Sequence, residues 1–231
     1  MNPITPRIFN FPEGEVLLID KPIEWSSTDI VSKVRKSSKF KKIGHAGTLD
    51  PLASGLIILC TGKMTKKISE YQDLEKEYTG SMVLGKTTPS CDRETEVDSV
   101  TDICNVTSEI IHETTKKFIG TIQQIPPVFS AIKIGGERLY KKARRGEEVA
   151  ILPRAVEVGE FEITGINLPE VHFRIVCSKG TYIRSLVRDF GLALCCGAYM
   201  SDLRRTRIGT FHVDEAYNIE ALAQLIFKKK K

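Results

Sequence analysis

With 231 residues, 41% hydrophobic and 27% charged, the chain has an ordinary globular composition and is long enough to bury roughly 70% of its unfolded surface. No apolar run approaches the roughly 18 residues of a membrane span, and the opening MNPITPRIFNFPEG lacks the apolar core of a signal peptide. The net charge of +5 is mild, and six cysteines without a C-x-x-C pair argue against zinc or thioredoxin chemistry and read as reduced thiols in the cytosol.

EVLLIDKP reads as a short buried strand that stops at Lys21-Pro22. SSTDIVSKVRKSS follows as a helix: Ser and Thr supply N-caps, and Ile30, Val31 and Val34 fall at helical spacing. GHAGTLDPLASG is a loop of small residues around one acid, Asp50, and it runs into LIILCTG, a buried strand. MTKKISEYQDL predicts a helix, KEYTGSMVLG a strand and TTPSCDRETEVDSVTD a loop. SEIIHETTKKFIG predicts a helix closed by Gly120. TIQQIPPVFSAIKIGGERLYKKARRGEEV combines a double proline, a GG hairpin turn and a short basic helix, which predicts a protruding insertion at about 124–152. VEVGEFEITGINLPEVHFRIVCS predicts two strands joined at NLPE. In TYIRSLVRDFGLAL, Ile183, Leu186, Val187, Phe190 and Leu194 make one apolar helical stripe. YMSDLRRTRIGTFHV returns as strand, and IEALAQLI is a final helix. With no repeat and no linker, the economical architecture is one α+β domain over residues 1–231.

Basic residues cluster at 33–42, 141–145, 204–207 and the terminal lysines, around one acidic stretch, DRETEVDSVTD. Such clusters suit a polyphosphate partner, and a solvated surface equally. In the glycine-rich loop, Pro51 pushes Asp50 toward extended backbone, so Asp50 cannot continue a helix. Gly44, Gly47 and Gly55 admit positive φ or the close approach of another chain. The loop can hold a carboxylate at a fixed point with room above it, and its composition also suits a plain turn. In GTYIR, Thr181 is a candidate N-cap, which puts Arg184 in the first turn of its helix, against the helix dipole. Either an anion sits beside Arg184, with Asp50 the attractive partner, or the side chain points into water. His45 reads as surface or site, and Tyr78 as packing or site. No H-E-x-x-H, carboxylate cluster or phosphate-binding G-x-x-x-x-G-K-[ST] loop is present, so metal, protease and nucleotide-hydrolysing readings have little support.

GHAGTLDPLASGLIILCTGKMTK resembles the catalytic motif of the TruB family, the tRNA pseudouridine-55 synthases. VLLIDKPIEWSSTDIVSKVR is similar to the family's first motif, KEYTGSMVLG to its tyrosine strand, QQIPPVFSAIKIGGERLYKKARRG to its RNA-gripping insertion, and VCSKGTYIRSLVRDFG to its arginine motif. LRRTRIG resembles the segment that closes the domain, and the likeness runs from about Val16 to about Leu225. The resemblance implies a pseudouridine synthase fold, with a mixed, mostly antiparallel central sheet flanked by helices and loops. It implies that Asp50 is the nucleophile, that Arg184 pairs with it, and that Tyr78 stacks on the target uracil and helps remove the C5 proton. His45 matches a residue that meets RNA where the target nucleotide leaves the stack, Lys21 a lysine that supports the site, and Leu203 an apolar residue near the base. Lys133, Arg138, Lys141, Lys142, Arg144 and Arg145 become candidates for the grip on RNA.

The implied partner is the T-arm and T-loop of tRNA, bound by a monomer, with no membrane, metal or cofactor, since the reaction needs neither redox change nor phosphate activation. A tRNA-binding chaperone acting without chemistry is the alternative, and an aspartyl-nucleophile hydrolase would want a metal and a phosphate cradle. LGKTTPSCDRETEV departs from the family pattern: Pro89, Ser90 and Thr95 replace expected residues, while Asp92 is retained. The chain stops after IEALAQLIFKKKK, leaving no room for the C-terminal PUA domain of many relatives. The contacts that domain makes are expected to be absent, or partly replaced by the lysine tail.

Overall fold

The structure is a computed structural model that describes residues 8–228, without the side chains of 227 and 228. The lysine tail therefore falls, from 229 onward, outside the described residues. In chain order the elements are β1 (Val16–Lys21), α1 (Ser27–Ser38), β2 (Ile43–His45), β3 (Ser54–Thr61), α2 (Ile68–Asp73), β4 (Lys76–Leu84), β5 (Lys86–Thr87), β6 (Ser99–Val100) and α3 (Ser108–Thr115). Then follow β7 (Gly120–Gln124), β8 (Lys133–Ile134), β9 (Glu137–Arg138), α4 (Leu139–Arg144), β10 (Arg154–Asn167), β11 (Glu170–Cys177), α5 (Ile183–Ala193), β12 (Ala198–Ile208), β13 (Phe211–His212), β14 (Tyr217–Asn218) and α6 (Ile219–Lys228). The chain folds as two compact units, the first reaching Tyr78 and resuming at Leu203, the second comprising Thr79–Asp202. Strands β4 and β12 each run from one unit into the other.

In the first unit the strands lie in the order β14-β1-β3-β12, with β2 paired to β3. Strand β1 runs antiparallel to β3, from Val16 opposite Cys60 to Lys21 opposite Gly55. Strand β12 runs parallel to β3, with Arg204 opposite Ser54 and Arg205 opposite Gly55. The continuous run LIILC is explained by burial on both faces. Ile57 and Leu59 pack with Leu17, Ile19 and the α1 and α6 residues Ile30, Val34, Leu222 and Ile226. Leu56, Ile58 and Cys60 pack on the other face with Ile208 and Val213. Helix α1 begins at a capping box, in which the Ser26 hydroxyl accepts from the Asp29 N–H while the Asp29 carboxylate accepts from the Ser26 N–H.

In the second unit β4, β11, β10 and β7 follow one another, and β10 and β11 form the long hairpin expected across NLPE. Phe118, Phe161, Phe173 and Phe190 meet edge-on or tilted at its core. All five residues of the predicted α5 stripe are buried. The fold class is therefore the expected one, helices on a mixed, mostly antiparallel sheet, and the insertion hairpin turns at Gly135 and Gly136, both with positive φ.

Several local expectations change: residues 62–67 form a 3-10 segment ahead of α2, and the expected loop after β4 contains the short β5–β6 pair. Gly120 does not close a helix; α3 ends at Thr115, a single-turn 3-10 segment follows, and Gly120 opens β7 at φ +91°. Thr181 does not cap α5. Tyr182 holds that position without a side-chain cap, and the Thr181 hydroxyl donates instead to the Ser178 carbonyl. Among the described residues no helix is long and apolar enough to cross a membrane.

Candidate active site

The first unit carries Lys21, His45, Asp50, Tyr78 and Leu203; the second carries Arg184 and the basic insertion. Asp50 is half-buried between buried Leu49 and exposed Pro51, outside any helix as the proline requires. Its segment is held from several sides. The Ser27 hydroxyl accepts from the Leu49 N–H at 2.9 Å and donates to the Leu49 carbonyl at 3.1 Å. The Pro51 carbonyl accepts from the Glu24 N–H at 2.7 Å and from the Lys21 ammonium at 3.4 Å. The Ala53 N–H closes a turn on the Asp50 carbonyl at 3.1 Å. Arg205, 1% exposed, donates to the Leu56 carbonyl at 2.7 Å and the Thr48 carbonyl at 3.3 Å.

The loop glycines divide between the two uses expected of them. Gly47 has φ +95° with open space around it, so it serves conformation alone. Gly55 has φ +105°, and a Cβ there would lie 2.3 Å from the Arg205 carbonyl oxygen, so both reasons apply. Gly44 is a close approach, with Ile68 Cδ1 2.8 Å from where its Cβ would be.

Lys21 ends β1 with no exposed surface, and its ammonium also donates to the Pro22 and Trp25 carbonyls at 2.9 and 2.7 Å. Burial pushes it down to about 8; Asp50 pulls the other way, and Arg205 adds to the depression. Burial likewise lowers the His45 imidazole, the Gly47 carbonyl opposing and Arg205 assisting, so the ring is neutral at neutral pH. Tyr78 and Leu203 are buried, at 8% and 5% exposure, each at an end of its strand segment in this unit.

Within the second unit Arg184 does not point into water. It is 4% exposed, donates to the Ser90 carbonyl at 3.1 Å and the Phe129 carbonyl at 2.9 Å, and its Nε lies 3.5 Å from Asp92 Oδ2. The 88–95 loop builds this support: the hydroxyls of the departing Ser90 and Thr95 meet at 2.9 Å, and Thr88 donates to the Asp92 carbonyl at 2.7 Å. Gln124, fully buried, exchanges two hydrogen bonds with the Tyr182 backbone and so fixes the start of α5.

Among the insertion candidates, Lys133 and Arg138 are exposed and make no side-chain hydrogen bond or ion pair among the described residues. Lys141 is also exposed. Arg144 bonds Glu94 at 2.7 Å, Arg145 bonds Glu137 and Glu147, and Lys142 lies 4.0 Å from Glu147. The arginines at 204–207 make their contacts within the first unit. Arg204 pairs with Asp20 through two bonds, Arg205 is buried, and Arg207 bonds Glu75. Ser27, Gln124 and Arg205 escape sequence reasoning, since one resembles a cap, one a loop amide and one a surface cation.

A buried lysine donating to the backbone of the loop that carries Asp50, on a mixed, mostly antiparallel sheet, suits the pseudouridylate synthase class of RNA isomerases. The family model "TruB family pseudouridylate synthase (N terminal domain)" matches residues 35–183, and "tRNA pseudouridylate synthase B C-terminal domain" matches 184–231. The chain belongs to the TruB family. A protein of Flavobacterium johnsoniae described as tRNA pseudouridine synthase B is 55% identical over 94% of this chain and 96% of its own. Proteins of the same description from Phocaeicola vulgatus and Chlorobaculum tepidum are 48% and 43% identical, covering 94% and 91% of those chains. In structure the chain is similar to Cbf5 in a Cbf5-Nop10-Gar1 complex, with TM-score 0.74 and 32% identity, and to an H/ACA RNP bound to a substrate RNA containing 2'-deoxyuridine, with TM-score 0.70 and 29% identity. It spans 56% of the length of each of those two chains.

Proposed function

We propose that the protein converts the T-loop uridine of tRNA, position 55, to pseudouridine, with Asp50 as the nucleophile on a flipped-out base. Uracil must leave its ribose at N1, turn, and rejoin through C5. A carboxylate that bonds covalently to the substrate divides this exchange into easier steps. Aspartate is ionised at neutral pH without assistance, with an ordinary pKa of about 3.9. Arg184 keeps that charge in place once the base covers it and water leaves. Tyr78 stacks on the uracil and takes part in removing the C5 proton, and Leu203 packs beside the base. Neutral His45 meets the RNA where the nucleotide left the stack. Flipping the base costs a few kcal/mol and is cheapest in a loop, which suits the T-loop.

The insertion grips the T-arm through Lys133, Arg138, Lys141, Lys142, Arg144 and Arg145. Arg144, Arg145 and Lys142 exchange their carboxylate partners for phosphates. Both units act as one cytosolic catalytic domain, and a single copy of the chain suffices.

The observation that carries this reading is the hold on residues 48–51. Bonds from Ser27, Lys21 and Arg205 fix the backbone of the loop that carries half-buried Asp50. The test is Asp50→Asn on unmodified tRNA transcripts, with pseudouridine mapped by carbodiimide-dependent primer extension. The expected result is modification confined to the T-loop uridine by the unaltered protein, and none by the variant at near-normal tRNA affinity. Pseudouridine formed at full rate by the variant would overturn the mechanism, and modification scattered through the tRNA would overturn the substrate.

A further inference from the structure

Arg205 was one basic residue among several in the sequence, yet it is among the most deeply buried large side chains of the molecule. Burying a guanidinium is costly, and an apolar side chain of similar volume would fill the space without that cost. A guanidinium offers a planar fork that can reach two acceptors at a fixed separation. Here the acceptors are the carbonyls of Thr48 and Leu56, which bracket the loop that carries Asp50. The loop is also held by the Ser27 hydroxyl, through both polar backbone atoms of Leu49, the residue before Asp50. Arg205 Nη2 is buried with no hydrogen-bond partner among the described residues, so the fork is not there to saturate its own donors.

We propose that Arg205 and Ser27 are positioning residues for the isomerisation, a two-residue backbone clamp that holds the Asp50 carboxylate at the attacking position. The proposal rests on the reading of Asp50 as nucleophile. The parallel register sets Arg205 opposite Gly55, where the absence of a Cβ lets β12 approach. From there the side chain reaches back under the loop. Neither clamp residue can contact RNA to any extent, since Arg205 is 1% and Ser27 3% exposed. Their contribution falls on the rate of the bound complex and not on its formation. A nucleophile displaced by about 1 Å loses on the order of a hundredfold in rate.

The test compares Arg205→Lys, Arg205→Met and Ser27→Ala under single-turnover conditions with tRNA transcript, alongside tRNA Kd and thermal unfolding. Arg205→Lys, which keeps one donor and the charge, should lower the rate constant about tenfold. Arg205→Met should lower it about a hundredfold, and Ser27→Ala about tenfold. Each should leave tRNA Kd within about twofold. A structural role alone would move the unfolding temperature without this split. If Arg205→Met does not fold, Arg205→Lys and Ser27→Ala still decide the question. Full single-turnover rates in both, or a loss confined to Kd, would overturn the clamp. Asp50→Asn runs in parallel: if it remains active, the nucleophile assignment has failed; if it is inactive while the clamp variants run at full rate, only the clamp has failed.

Discussion

Replacing Lys21 with methionine should change how stability responds to pH. In the folded protein burial holds the Lys21 ammonium at about 8 instead of its ordinary 10.5. Below about pH 8 both folded and unfolded chains carry the proton, and folding bears the full cost of burying the charge. Between about 8 and 10.5 the unfolded chain binds more protons than the folded one, so stability rises with pH. The gap between the two values corresponds to at most about 3 kcal/mol. Methionine fills a similar volume and has no proton to lose, so the variant lacks this rise. The assay is urea unfolding of both proteins at intervals from about pH 7 to 10.5, read as the difference between their stability curves. The difference is needed because burial pushes the Cys60 thiol up to about 11, which lowers stability at alkaline pH in both proteins. Parallel curves would refute the reasoning, since they would mean that Lys21 is not charged against its surroundings.

Gly55→Ala should destabilise the protein by about 3 kcal/mol, because φ +105° strains an L-residue and the new methyl would meet the Arg205 carbonyl at 2.3 Å. In a chain of this size that corresponds to a fall of about 6–12 °C in Tm, and a change under about 2 °C would count against it. Asp92→Asn removes one charge from a buried pair whose arginine is 4% exposed. The expected loss is about 2–4 kcal/mol, somewhat below that of a fully broken buried pair, and an unchanged urea midpoint would show that the pair is not coupled.

Much of the secondary structure was legible because it is written in local spacing. The α1 and α5 stripes, the alternation of KEYTGSMVLG and the GG turn all act within a few residues. Gly120 was misread because a glycine after a helical pattern serves equally as a terminus or as the first residue of a strand at positive φ. The Asp50 loop was legible as a motif, including the reason Asp50 stays out of helix. Its supports were not, because Ser27 and Arg205 act at the loop from 22 and 157 residues away in sequence. The cluster RRTR illustrates the same limit: adjacent arginines of a strand alternate in direction, so Arg204 meets Asp20 at the half-exposed surface while Arg205 is buried.

By itself, then, the sequence determined most of the order and kind of the elements, the family, and the loop acid proposed as nucleophile, since each depends on residue type and short-range spacing. Only the tertiary structure decided which cations are spent on holding the protein together. Strand register brings Arg205 beneath the loop, and packing excludes the water that would otherwise compete for it. It also showed Arg184 buried on Ser90, Phe129 and Asp92, contacts that depend on where the 88–95 loop and the Pro126-Pro127 segment fold back onto α5.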